Sequence, residues 1–162
     1  MLSAAAFVLL ASRVLSQSAR PAGLRGEVTA YIQAAATGFA AYKTGRPQMF
    51  SGHRVWDSKV SPMAAKRCWV IEGATNTLSC LLYSSTDPSL ARYYYMLVAQ
   101  GMLEYLPQDW KPDPAPPFTG DLPSKAFRSP SGVHGEVWIS RAASGGAYEL
   151  HCEIVAAPRS PH

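Results

Sequence analysis

The residues best suited to chemistry are concentrated near the C-terminal end of the chain. Glu136, Trp138, Glu149, His151 and Glu153 take alternate positions in two strand-like runs within 133–155, and that alternation predicts one shared face of a hairpin. A histidine beside carboxylates is a minimal proton-transfer unit, because the carboxylate orients the imidazole and raises its pKa. His151 with Glu149 or Glu136 is therefore the acid–base candidate. The competing reading is a solvated sheet face with opposite-charge neighbours, and the sequence favours it. No nucleophile elbow, phosphate loop, zinc-protease helix or dinucleotide fingerprint accompanies the pair. Trp138 stands apart, since a large indole among polar residues needs a cover. Trp138 and His151 are thus the binding candidates, with the proline-rich segment or a partner as the cover.

The three cysteines, Cys68, Cys80 and Cys152, lack the close C-x-x-C pair of a structural zinc site. Folding 67–83 about Ala74 sets Cys68 opposite Cys80 and Val70 opposite Leu78. Opposed positions bring Cα atoms within disulfide range, so a Cys68–Cys80 bridge is expected. Cys152 falls on the buried face as a small hydrophobe, and its neighbour His151 points the other way, which argues against a reactive pair. Asp109, Asp113 and Asp121 match no calcium loop and read as turn residues. Neither a metal nor a cofactor is expected.

Residues 1–19 resemble a secretory leader in pattern: an apolar run over 2–11, too short to span a bilayer, then small residues at Ser16, Ser18 and Ala19. Cleavage after Ser18 or Ala19 would leave a periplasmic or secreted product, a compartment in which disulfides persist. No later run is long and apolar enough for a membrane helix. The net charge of +4 is spread along the chain without a basic run, so nucleic acid is not an expected partner.

The elements that must position these residues follow from periodicity. Apolar residues at three- and four-residue steps predict a first helix over 24–42, stopped by Gly45 and Pro47. A second helix opens at Asp87-Pro88 and ends at Pro107, with Leu90, Tyr94, Leu97, Val98, Gly101, Met102 and Tyr105 as its buried stripe and Tyr93 and Tyr95 at the margins. Hairpins are expected over 67–83 and 133–155, and Arg54-Val55-Trp56 as a short strand. Residues 108–130 hold six prolines and read as a crossing loop. The expectation is one α+β domain over 20–157: an antiparallel sheet built from two hairpins, with two helices packed on one face. A disordered tail would occupy 158–162.

Two functions compete on this basis, beside a third reading as a purely structural envelope component with no ligand. One is an exported, non-catalytic module that binds a protein or peptide, of inhibitor, immunity or envelope-accessory type. The other is a small acid–base hydrolase using the His151/carboxylate pair. Size, leader and missing catalytic motifs favour the first.

Overall fold

The computed structural model describes residues 23–114 and 122–158. The expected leader, the middle of the proline-rich segment and residues 159–162 of the expected tail lie outside the described residues.

Helix α1 (Gly23–Ala36) precedes four strands, β1 (Lys43–Phe50), β2 (His53–Ser58), β3 (Arg67–Glu72) and β4 (Thr77–Ser85). Helix α2 (Pro88–Tyr105) then precedes β5 (Lys111–Pro112), β6 (Ser124–Arg128), β7 (His134–Arg141) and β8 (Tyr148–Val155). Among the described residues, all eight strands join one sheet in the order β1-β2-β3-β4-β8-β7-β6-β5. Every pairing is antiparallel. Each half is thus a helix followed by a four-stranded meander, and the halves meet where β4 pairs with β8.

This corrects the expected sheet of two hairpins with two helices. Both hairpins exist, but each is extended outward by two further strands. β1 escaped the reading because it is an edge strand exposed at every position after Lys43, so no burial alternation marks it. β5 and β6 come from the segment expected to be a crossing loop. Pro112 is tolerated in a two-residue edge strand, where a missing amide is harmless, and β6 buries Ala126 and Phe127. Both edges resist further pairing: β1 carries Gly45, Pro47 and a register shift between Thr44 and Gln48, and β5 is very short.

Helix α1 ends six residues before Tyr42, the end expected from periodicity. Gly38 and Phe39 turn left-handed at φ 60° and 59°, and their amides close on Ala35 and Ala34 carbonyls at 3.0 and 2.9 Å. Phe39 is fully buried, which offsets its unfavourable backbone. A Cβ at Gly38 would lie 2.5 Å from Asn76 Nδ2, and that amide donates to the Gly38 carbonyl at 3.1 Å. Glycine is required there on both counts.

Helix α2 starts as its sequence dictates, with Asp87 Oδ1 accepting from the Ser89 amide at 2.8 Å and Pro88 in the first turn. Its buried residues are Ala91, Tyr95, Ala99, Gly101 and Met102, whereas Leu90, Tyr94 and Leu97 are exposed. The helix is rotated from its expected orientation because small residues let its backbone approach β4, β7 and β8. Val28, Tyr31, Met102 and Leu106 of the helical layer border an apolar cavity of about 30 Å³ together with Leu78, Cys80 and Cys152 of the sheet.

Candidate functional site

The hairpin β3–β4 has the expected register: Cys68 opposes Cys80 and Val70 opposes Leu78. Cys68 and Cys80 are disulfide-bonded with their Cα atoms 4.1 Å apart. Cys152 is free and buried, and burial pushes its thiol up to about 12. The bridge is compatible with an extracellular location. Among the described residues, no helix is long and apolar enough to cross a membrane.

The second hairpin, β7–β8, pairs Glu136 with Glu153, Trp138 with His151 and Ser140 with Glu149. Directly paired residues share a face, so Glu136, Trp138, Glu149, His151 and Glu153 lie on one face of the hairpin. Its environment differs from a wet polar face. Glu136 and Trp138 are buried at 2 % and 6 % exposure, and His151 is half-buried. The indole and imidazole stack with centroids 5.2 Å apart and planes 13° apart. His151 Nε2 lies 3.4 Å from Glu149 Oε2 and 3.1 Å from Ser140 Oγ. Burial lowers the His151 pKa, against the opposing pull of Glu149.

That geometry limits the chemistry. A general base that activates a hydroxyl accepts its proton on one ring nitrogen while the orienting carboxylate holds the other. Here hydroxyl and carboxylate approach the same nitrogen. Nε2 cannot accept from Ser140 and donate to Glu149 at once, so the three residues do not form a relay.

Glu136 is not part of the His151 group. It belongs to a second cluster that the sequence did not reveal, because its members come from β4, β6, β7, β8 and the residue after β5. His134 Nδ1 lies 3.3 Å from Asp113 Oδ2, and His134 Nε2 lies 3.8 Å from Glu136 Oε2. Both imidazole nitrogens and Glu136 Oε1 are buried without an aligned hydrogen bond among the described residues, while the Asp113 carboxylate still pulls the imidazole toward its charged form. Asp113 also accepts from Arg128 Nη2 at 2.6 Å and Nε at 3.0 Å. Burial, then the charges of Glu153 and Asp113, push the Glu136 carboxyl up to about 7. Burial also raises Glu153, offset by a hydrogen bond from Ser79. His134 is lowered by burial and by Arg128. An open groove of about 290 Å³ reaches His134 and Arg128, but its lining includes neither Glu136 nor His151. Among the described residues, no group of three or more histidine, cysteine or acidic side chains could hold a metal ion.

Apolar side chains are also exposed on the outward side of α2, as they are at Met49 and Phe50 at the β1 edge. Leu90, Tyr93, Tyr94, Met96, Leu97 and Leu103 are all exposed, Met96 to 62 %. Within this 18-residue helix only Arg92 and Glu104 are charged. Tyr94 packs on Tyr83 at 4.2 Å and on Tyr93 at 5.6 Å between centroids, and the Lys66 ammonium sits 5.6 Å from the Tyr83 ring. A helix that is apolar on its buried side and again on its outward side has more apolar surface than its own sheet can cover.

No protein-family model matches this chain, and neither a curated protein nor a solved structure matches it.

Proposed function

We propose that this chain is an exported, non-catalytic protein-binding module that docks its partner on the outward face of α2. The observation that supports this reading is the set of exposed side chains Leu90, Tyr93, Met96, Leu97 and Leu103 on a helix whose opposite side already fills the core. Tyrosine, methionine and leucine supply large contact area, and aromatic residues are enriched among binding hot spots. Arg92 on the same helix and Lys66 beside Tyr83 supply cations near this face, against the single acid Glu104, and the chain carries a net charge of +4. The partner chemistry that fits is a protein surface with an apolar strip bordered by carboxylates.

The test compares the mature protein with a Met96→Glu/Leu97→Glu double variant, each immobilised and exposed to envelope extract. The expected result is a protein released by excess soluble wild type and bound by the variant roughly thirty-fold more weakly, the effect of losing about 2 kcal/mol at a hot spot. Circular dichroism must show the variant folded. Equal retention by both proteins overturns the reading. A wild-type dimer lost in the variant would reassign the face to self-association, and binding to lipid vesicles would reassign it to a membrane surface.

A further inference from the structure

The three cysteines stand in one row across three neighbouring strands. Cys68 on β3 opposes Cys80 on β4, and Cys80 in turn opposes Cys152 on β8. Paired residues share a face, and Cys80 and Cys152 both border the small apolar cavity beneath the helices. The 4.1 Å Cα separation of Cys68 and Cys80 marks a narrow, non-hydrogen-bonded pair. The N–H and C=O of Cys80 are then directed toward β8, which makes Cys80/Cys152 the wide, hydrogen-bonded kind. Such pairs have Cα atoms about 5.5 Å apart, within the range a disulfide spans. Cys68 and Cys152 are two strand spacings apart, about 9.6 Å, and cannot be bridged without moving a strand.

We propose that Cys68, Cys80 and Cys152 form an exchange relay in which the Cys152 thiol displaces Cys68 from Cys80, moving the cross-link from β3–β4 to β4–β8. Cys152 first loses its thiol proton to solvent. Its thiolate attacks Cys80 Sγ, the Cys68–Cys80 bond breaks, and Cys68 leaves as a thiolate that takes up a proton. One S–S bond forms as one breaks, so no oxidant or reductant is needed. The move is silent while the core is closed, since Cys152 is buried and its thiol is held protonated. Opening of the helical layer over Cys80 and Cys152 admits solvent and starts the exchange. The new bridge ties the two meanders together at their shared boundary, whereas the old one closes a loop within the first.

The test maps disulfides in the wild-type protein held in urea below its unfolding transition at mildly alkaline pH, then trapped with an alkylating agent. The expected result is a shift of part of the alkylated population from Cys152 to Cys68, with a Cys80–Cys152 linked peptide rising together with it. A second arm oxidises two variants with glutathione disulfide: Cys68→Ser should form the Cys80–Cys152 bridge, and Cys80→Ser should form no internal bridge. The proposal is overturned if the wild type gives no Cys80–Cys152 peptide, or if Cys68→Ser fails to form that bridge. It is equally overturned if Cys68–Cys152 forms as readily, because scrambling of unfolded chains would then account for the exchange.

Discussion

Trp138 and His151 lie face to face across β7 and β8, their rings nearly parallel and 5.2 Å apart. The indole is the largest group beside the imidazole, and burial is the first cause of the lowered His151 pKa. Trp138 is covered within the protein itself, at 6 % exposure.

Replacing Trp138 with alanine should therefore act on the fold. Removing a buried tryptophan costs about 3–5 kcal/mol, and urea unfolding should read a loss of that size. Water entering the space should also let the His151 pKa climb back toward its ordinary value, followed by an NMR titration of the imidazole. A stable Trp138→Ala protein with an unshifted His151 would refute the burial argument.

Glu136 should set a pH dependence of stability with an unusual sign. Its carboxyl is raised to about 7 in the fold by burial, Glu153 and Asp113, with His134 also in contact. The folded state then holds a proton that the unfolded state has already released. Stability from this group is fully present below the ordinary glutamate pKa and is lost as pH rises through about 7. Glu153, also raised, acts in the same direction. His134 and His151 act oppositely, because their lowered pKa values cost stability as pH falls through about 6.5. Glu136→Gln isolates one contribution. Its advantage over wild type should grow between about pH 4.5 and 7, with a slope of up to about 1.4 kcal/mol per unit. Parallel stability curves for the two proteins would rule the assignment out.

The two sides of α2 should respond oppositely to substitution. Leu97→Lys, on the outward side, should change stability by less than about 0.5 kcal/mol. Ala99→Leu, two positions on and buried against the sheet, should cost about 1–3 kcal/mol through overpacking. Thermal or urea unfolding of the pair checks the orientation of the helix, and the opposite ranking would mean the sheet lies under Leu97.

These faces show what was legible in the sequence. Cys68 opposite Cys80 could be read because two apolar strands flank a short turn and the register follows by counting. The α2 face differs from the expected one because hydrophobicity ranks Leu90, Tyr94 and Leu97 above Ala91 and Ala99. Close helix–sheet contact rewards small residues instead. β1 gives no burial pattern at an exposed edge, and β6 follows prolines that signal a loop. His134 with Asp113 was out of reach for another reason. That contact depends on β5 pairing with β6 and β6 with β7, a long-range choice that local periodicity does not encode.

Ser140 provides the last test, because it sits within reach of a histidine and a glutamate and yet lacks the arrangement of a nucleophile. Its Oγ is 3.1 Å from His151 Nε2, the nitrogen that Glu149 also approaches at 3.4 Å. When Nε2 carries the proton it can serve Glu149 and cannot accept from Ser140. When it does not, the imidazole can accept from Ser140 but no longer donates to Glu149 through that nitrogen. Neither tautomer gives the oriented base that lowers the barrier to attack. An organophosphorus probe that labels activated serines should leave Ser140 unmodified, as judged by intact mass and peptide mapping. Ser140→Ala should instead shift the His151 titration measured by NMR, because it removes a hydrogen-bond partner from Nε2. Stoichiometric labelling of Ser140, abolished by His151→Ala in a folded protein, would place the chain among the acid–base hydrolases.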